Sequence, residues 1–300
     1  MLLKGFLLVS YLFISFYTPG QSYIFKVMAN KGENFYKSPA KNQWEPIKAG
    51  SNLNKGDWIK ISNDQSFLGL VHLSGRTLEL IESGTFDIEQ LNKRFGLQNN
   101  GIASRFSEFV FNNIDEAVAG RKPDKGSESR GEEGEIKLLI PRSGKVFGDK
   151  IVLQWTVMEK NSSGGFNVSV KNVFDDQIKS IQTVDKQVII DIDKGELEME
   201  SSFYINVVAG NDEIVHSDIY NIKRLSKNQK VLIEEDIRKI GEEVDRKSAT
   251  GLIVLATYFE KQELLIDAIS CYHQAIQSQP DLADFQILYK SFVERNALGR

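Results

Sequence analysis

Residues 249–280 read ATGLIVLATYFEKQELLIDAISCYHQAIQSQP, and this stretch decides how the C-terminal part of the chain can fold. Apolar residues recur along it at intervals of three and four, which predicts two amphipathic helices joined by a short polar turn. A proline closes the stretch and ends the second helix, because it has no N–H group and its ring clashes with the preceding turn. The pattern is carried by Leu252, Leu255, Ala256, Phe259, Ala268, Tyr272, Ala275 and Pro280.

This spacing resembles the tetratricopeptide repeat (TPR), a pair of short helices of about 34 residues. Small residues at Ala256 and Ala268 would let the two backbones approach closely, and the rings of Phe259 and Tyr272 would fill the space beside them. An ordinary amphipathic hairpin places apolar residues similarly but does not need this order of small and large side chains. The resemblance implies a module that binds other proteins.

The rest of the helical region, residues 226–300, is predicted from the same stretch. One repeat cannot bury its own faces, so flanking helices must cover it. Apolar periodicity predicts such helices at residues 228–247 and 281–297. Asp281 or Asp284 is placed to cap the last helix. We expect a protein partner to bind this four-helix array, either as a single docked helix or tail or as a second copy of the chain.

Composition and charge limit the remaining possibilities. The chain has 300 residues and 41% hydrophobic content, enough for two or three modest domains. Its net charge of -4 argues against a nucleic-acid partner, since nucleic-acid-binding surfaces are basic. The single cysteine, Cys271, excludes an internal disulfide and a multi-cysteine metal site. It is expected to be a small apolar filler in its helix, and we expect no metal and no cofactor.

Residues 1–22 have the three-part layout of a secretory signal peptide. Lys4 precedes the apolar run of residues 6–17, and small residues lead to Ser22. The run is shorter than the ~20 residues that a membrane-spanning helix needs. We therefore predict cleavage after Ser22 and an exported protein that is periplasmic or envelope-associated. The alternative is an uncleaved anchor, the one case in which the chain would contact a membrane.

In residues 23–91, short apolar runs alternate with segments rich in glycine, asparagine and aspartate. This pattern predicts a small all-β region of short strands and turns. The order of these features resembles the exported FecR-like domain. The resemblance implies a signalling or interaction module outside the cytoplasm, without catalysis. It depends on Trp44, Pro46, Gly50, Leu53, Gly56, Asp57, Ile59, Leu70, Gly75, Leu78 and Leu80.

Three side chains in this region are candidates for ligand binding: Trp44, Trp58 and His72. Trp44 and Trp58 are expected to pack in the core, with a ligand shelf as the alternative. His72 follows Val71 in an apolar strand, and a single histidine cannot hold a metal alone. We expect it to be packed or hydrogen-bonded.

Three further regions follow. Residues 92–119 predict a helical connector whose apolar side packs on the first β region. Residues 120–135 are polar, charged and rich in glycine, which predicts a flexible linker. Residues 136–225 contain about seven short strands, which indicates a β-sandwich. The sandwich resembles exported Ig-like or fibronectin-type domains, but it lacks the cysteine pair of antibody domains. That resemblance implies a spacer or an adhesion module.

The predicted fold class is therefore multidomain, with an all-β FecR-like unit, an Ig-like sandwich and a TPR-type helical array. No nucleophile elbow, HExxH zinc motif or phosphate-binding loop is present. His72, His216 and His273 fall in three different regions. We predict a non-enzymatic exported protein that acts in protein–protein interaction or as a scaffold. The alternative is a membrane-anchored envelope sensor related to FecR regulators.

Overall fold

The computed structural model describes residues 23–95, 105–106, 109–114, 136–157, 164–210 and 215–300. Within this part of the chain, strands occupy the N-terminal and central regions and helices occupy the C-terminus, so the predicted mixture of β and α structure is confirmed. The predicted signal peptide, residues 1–22, and the predicted linker, residues 120–135, lie outside the described residues.

The first β region contains the strands β1 (Phe25–Lys31), β2 (Phe35–Lys37), β3 (Trp44–Pro46), β4 (Asn52–Leu53), β5 (Trp58–Ile61), β6 (Phe67–His72), β7 (Thr77–Leu80) and β8 (Gly84–Asp87). They form two antiparallel four-stranded sheets, with strand orders β4-β1-β6-β7 and β3-β2-β5-β8. Strand β5 shows the period-two alternation that places one face inward, because Ile59 and Ile61 are buried and Lys60 between them is exposed.

A short helix, α1 (Ile88–Lys93), follows strand β8 directly. The Asp87 carboxylate caps it by accepting the N–H of Glu89 at 2.9 Å.

The second β region contains the strands β9 (Ile136–Leu138), β10 (Ser143–Val146), β11 (Lys150–Val157), β12 (Phe166–Lys171), β13 (Gln177–Thr183), β14 (Gln187–Asp191), β15 (Ser202–Ala209) and β16 (Tyr220–Arg224). They form a five-stranded sheet in the order β10-β16-β15-β12-β13 and a three-stranded sheet in the order β14-β11-β9. The two sheets touch through Trp155 and Phe166, whose rings meet edge-on with centroids 5.2 Å apart. A 3-10 turn at Gly195–Met199 precedes β15.

Strand β10 is an element that the sequence prediction missed. The Pro-Arg-Ser-Gly sequence at residues 141–144 predicts the end of the preceding strand, but the chain becomes extended again at Ser143 and pairs in parallel with β16. This strand is short, lies at a sheet edge and shows no clear alternation of apolar residues. Its conformation depends on a partner far away in the chain, which local periodicity cannot reveal.

Four helices form the helical region: α2 (Lys227–Glu243), α3 (Ala249–Lys261), α4 (Leu265–Ser278) and α5 (Ala283–Arg295). Ser226 and Gln229 form a capping box at the start of α2. Helix α3 is buried along nearly its whole length. The chain turns tightly before α3 and brings the carbonyl oxygen of Asp245 close to Gly251. A Cβ atom at position 251 would lie only 2.0 Å from that oxygen, so the turn requires glycine there.

The predicted cap of the last helix is wrong. Leu282 is the N-cap of α5, and its side chain makes no capping hydrogen bond. Asp281 instead forms a 3.4 Å ion pair with Lys31. The Asp284 carboxylate accepts the backbone N–H of Asn30 at 2.8 Å. Both carboxylates find partners on strand β1, so long-range contact overrides the local capping preference.

The β regions and the helices share one continuous hydrophobic cluster. It includes residues of β1 and β6, both sheets of the second β region, and helices α2 to α5. A smaller cluster fills the interior of the first β region. None of the helices in the described part of the chain combines the length and the apolar character needed to span a bilayer.

The described part of the predicted connector, residues 105–106 and 109–114, is helical. Phe106 meets the ring of Tyr258 on α3 edge-on at 5.2 Å. Phe109 lies 3.7 Å beneath the ammonium group of Lys261. Phe111 contacts the first β region, where the ammonium group of Lys26 on β1 lies 4.9 Å from its ring centroid. This segment therefore packs on the helical region as well as on the first β region, as predicted for the latter.

Candidate protein-interaction surface

The residues of the helical sequence pattern form packing contacts inside the protein. All of them except Pro280 are buried, and Ala256 and Ala268 have no exposed surface. The ring of Tyr272 contacts the rings of Tyr289 and Phe292, with centroids 5.7 and 5.1 Å apart. The small residues thus allow close helix contact, and the large ones join α4 to α5.

Helices α3 and α4 also pack on the second β region. Phe259 of α3 lies 5.9 Å from the ring of Phe147. Helix α4 approaches strand β10 so closely that a Cβ on Gly144 would lie 2.8 Å from Cδ1 of Ile266. The faces of this helix pair are therefore occupied by the β sheets as well as by neighbouring helices.

Asp267 forms the polar centre of that contact. Its carboxylate oxygens accept the backbone N–H groups of Phe147 at 2.9 Å and Gly148 at 2.7 Å. Burial raises the pKa of this carboxyl to about 6, although the two N–H donors favour its charged form. The side chain therefore fixes the position of α4 against the loop between β10 and β11.

A second carboxylate fixes α3 to the first β region. One oxygen of Glu79, on strand β7, accepts both the backbone N–H and the hydroxyl hydrogen of Thr250, each at 2.7 Å. A Cβ on Gly69 of the adjacent strand would lie 2.9 Å from the same hydroxyl oxygen. The glycine therefore allows the start of α3 to approach the sheet.

Helix α5 contacts both β regions. Its Asp284 binds the backbone of Asn30, and its Phe285 meets Phe67 of strand β6 edge-on at 6.1 Å. Its Tyr289 hydroxyl donates to the side-chain oxygen of Gln154 on β11. The helical region therefore bridges the two β regions.

A buried ion pair holds α3 and α5 together. The guanidinium group of Arg295 donates two hydrogen bonds of 2.9 Å to the Glu260 carboxylate, and Asn296 adds a third at 2.8 Å. The bidentate geometry and the extra amide satisfy a carboxylate that is 9% exposed. A buried pair of this kind fixes geometry more than it adds stability.

Helix α2 is the least buried helix of the region. Only Ile240 is fully buried along it, whereas Val231 and Leu232 are 60% and 69% exposed. Its Asp236 accepts a 3.2 Å hydrogen bond from the hydroxyl of Tyr258 on α3. Val231 and Leu232 therefore form a small exposed apolar surface on α2. Exposed apolar surfaces of this kind can mark sites of protein interaction.

Leu232 also lines a cleft of about 480 Å³ between α2, strand β10 and the turn that joins α3 to α4. Its apolar floor includes Leu225 and Leu264, which are buried. On its rim, hydrogen bonds from Arg238 and Lys239 hold the pKa of Glu235 at about 2. The lining residues are Lys145, Leu225, Gln229, Leu232, Ile233, Glu235, Asp236, Lys239, Gln262 and Leu264.

His72 is hydrogen-bonded, as predicted. Its Nδ1 lies 2.8 Å from Oγ of Ser74, and its Nε2 lies 2.8 Å from Oδ1 of Asn92. The imidazole stacks on Phe95, and burial lowers its pKa. Both ring nitrogens have partners, and His72 and Ser74 are both buried.

The other reactive side chains lie apart from His72. His273 is 3.3 Å from the amide nitrogen of Gln187, and Nδ1 of His216 is 2.9 Å from the carbonyl oxygen of Ser217. Cys271 is buried, and desolvation raises the pKa of its thiol. In the described ranges, no three histidine, cysteine or acidic side chains are grouped to hold a metal ion.

The predicted core position of the two N-terminal tryptophans is wrong. Trp44 is 36% exposed and Trp58 is 40% exposed, and they lie on strands β3 and β5. The signal was present in the sequence. Trp58 alternates with Ile59, and the buried isoleucine places the indole on the solvent side of the strand.

Two of the carboxylates that join the regions, Glu79 and Asp267, were not predicted from the sequence, and the third, Asp284, was predicted only as a helix cap. Asp267 offered a signal, because it interrupts the apolar positions Ile266 and Ala268 inside a helix. Comparison of the chain with known protein families and with curated proteins found no match.

Proposed function

We propose that this chain is a non-enzymatic exported protein, periplasmic or envelope-associated, that binds another protein through its helical region and acts as a scaffold. The observation that carries the proposal is the exposed side chain of Leu232 on α2, which lines the cleft and is next to the exposed Val231. An apolar surface rimmed by charged residues is typical of a protein-binding site. The other helices use their apolar faces within the chain, which leaves α2 as the favoured docking element.

The finer fold assignments support this role. The sheet order β16-β15-β12-β13 facing the pair β14-β11 corresponds to the G-F-C-C′ and E-B arrangement of Ig-like sandwiches. In the first β region, Gly50, Gly56 and Gly75 of the FecR-like pattern have φ of 84°, 83° and 88°, values that favour glycine. Close packing at Ala256 and Ala268 suits a TPR-type helix pair. Domains of these kinds serve mainly as contact modules.

A catalytic role has less support. The three histidines are each bonded to different local partners, and Cys271 is a buried thiol. General acid–base or nucleophilic catalysis needs a nucleophile and a base that converge on one reacting atom. Ser74 and His72 are within hydrogen-bond distance of each other, but they are only 4% and 5% exposed, so this contact offers a substrate little access.

The docking surface can be tested with two matched substitutions. Leu232→Asp places a charge on the cleft rim, and Ile219→Asp places one at a position that is 68% exposed, compared with 69% for Leu232. Each variant would be used as bait on an envelope fraction, with quantitative mass spectrometry of the captured proteins. We expect Leu232→Asp to reduce capture of a specific partner about tenfold, a loss of about 1.4 kcal/mol. Equal capture by both variants and the parent chain would refute the α2 surface.

The alternative function is a membrane-anchored envelope sensor related to FecR regulators. The FecR-like resemblance favours it if residues 6–17 are retained as an anchor. Mass spectrometry of the native N-terminus separates the two. Tyr23 as the first residue supports the exported scaffold, whereas Met1 retained in the membrane fraction supports the sensor.

A further inference from the structure

A second candidate surface lies on the first β region, on the sheet with order β3-β2-β5-β8. Lys37 of the inner strand β2 is paired directly with Trp44 on one side and with Trp58 on the other. Directly paired residues of antiparallel strands lie on the same face of a sheet. Because neighbouring strands are 4.7–4.9 Å apart, the backbones at Trp44 and Trp58 lie about 10 Å from each other.

The next row of the same face continues this pattern. Phe35 is paired with Pro46 on β3 and with Lys60 on β5. Pro46 and Lys60 are exposed, and Phe35 is half-buried. The opposite face of the sheet carries Ile59, which is buried in the core of this region. The tryptophan face is therefore the solvent side of the sheet.

Two exposed indoles on one flat face need an explanation, because tryptophan is usually well buried. The third tryptophan of the chain follows that rule, since Trp155 is 3% exposed. The ammonium group of Lys37 lies 5.4 Å from the ring centroid of Trp44, which orients this ring without covering it. The remaining ring surfaces are available to a ligand.

The chemistry of the face suits a sugar chain. A pyranose has an apolar C–H face that can stack on an indole, and hydroxyl groups at its edge that accept hydrogen bonds from ammonium groups. The two tryptophans form a single row across the strands, and their backbones are separated by about two strand spacings. A linear oligosaccharide that lies across the strands fits this row.

The charges indicate what kind of sugar. Lys37 and Lys60 lie on this face with one acidic residue, Asp87, which is paired with Trp58, so the face has a net charge of +1. A net positive face attracts an anion. We propose that the face formed by Trp44, Lys37 and Trp58 binds an acidic oligosaccharide. This site is separate from the α2 cleft and does not depend on the function proposed there.

Binding can be measured with the purified full chain and oligosaccharides of defined length. A uronic-acid hexasaccharide and the neutral hexasaccharide of the same linkage would be titrated by calorimetry and by tryptophan fluorescence. We expect the acidic sugar to bind at least tenfold more tightly. Trp58→Ala should weaken binding about tenfold, or 1.4 kcal/mol. Phe174→Ala, which removes an 82% exposed ring from the second β region, is the matched control and should leave affinity unchanged.

Lys60→Gln tests the charge separately from the rings. We expect it to reduce the preference for the acidic over the neutral sugar at least threefold, with little effect on neutral-sugar binding. Circular dichroism melting curves would confirm that each variant folds. A second measurement needs no variant: sugar bound to the wild-type protein should protect the tryptophan fluorescence from quenching by iodide. The proposal is overturned if neither sugar binds at millimolar concentration, if Trp58→Ala retains full affinity, or if an acidic peptide binds the face in place of the sugar.

Discussion

Asp267 predicts a specific dependence of stability on pH. Its native pKa is raised from 3.8 to about 6, chiefly by burial, and the N–H groups of Phe147 and Gly148 and the charge of Lys230 oppose this rise. The unfolded chain releases the carboxyl proton at the ordinary pKa. Between these two values the native state holds a proton that the unfolded state has lost. Stability from this group is therefore fully present below about pH 4 and is lost as the pH rises through about 6.

The size of the effect follows from the difference between the two pKa values. The difference of about two pH units corresponds to about 3 kcal/mol, because each unit is worth about 1.36 kcal/mol. Asp267 is 4% exposed, so solvent screens this term little. Asp267→Asn removes the titrating group and retains a carbonyl oxygen that can accept one of the two N–H groups. The other titrating groups are common to both proteins and cancel in the comparison.

Urea unfolding of the parent chain and of Asp267→Asn at several pH values would measure the effect. We expect the difference in free energy of unfolding, parent minus variant, to fall by about 3 kcal/mol between about pH 4 and about pH 7. Asp284→Asn is the comparison variant. Burial also raises the pKa of Asp284, so its difference should fall with pH too, but by less because its side chain is only half-buried. A difference for Asp267→Asn that stays constant across this range would refute the reasoning.

Two further predictions concern the contacts between the helices and the first β region. Phe285→Ala removes a fully buried ring that packs on Phe67, and we expect a loss of about 3–5 kcal/mol in the free energy of unfolding. Ile287→Ala on the same helix, at a 47% exposed position, should change stability by less than about 0.5 kcal/mol. Thr250→Val removes the hydroxyl that donates to Glu79 and should cost about 1.5–3 kcal/mol, whereas Thr250→Ser should retain most of the stability. Similar losses for each pair of variants would contradict the assigned contacts.

The helices of the C-terminal region could be predicted from the sequence because an amphipathic helix is recognised from residues only three and four positions apart. The periodic apolar positions between Leu252 and Ala275 predict two helices, and the structure has α3 and α4 over this stretch. Helix α4 ends at Ser278, just before the predicted stop at Pro280. Small and large residues at regular spacing identify the sides of a helix that pack, whatever they pack against.

The partners of those sides could not be predicted in the same way. The pattern implies that flanking helices cover the repeat, but Ile266 packs beside Gly144 of a β strand and Phe285 packs beside Phe67 of another. Both contacts join residues that are far apart in the sequence. Periodicity shows that a face is buried and does not show which element buries it.

For Trp44 and Trp58 the wrong prediction has a different cause. It rests on how often aromatic residues are buried, and it ignores the alternation of buried and exposed residues along strand β5. Large aromatic residues are usually buried, which favoured core packing for Trp58. The alternation along β5 places it on the same side as Lys60 and opposite Ile59. In a strand with one buried face, this alternation decides the side more reliably than residue type, because a shift by one residue moves every side chain to the other face.

The three carboxylates that join the regions have a consequence for where a partner can bind. Glu79, Asp267 and Asp284 each accept a backbone N–H from a region other than their own. Opening the contact between the helices and the sheets would leave these buried or half-buried groups without their donors, which costs about 1–3 kcal/mol for each group. A partner that inserts between α3 or α4 and the sheets would have to offset several such losses. A partner that binds α2 meets no such cost, because Val231 and Leu232 are already exposed.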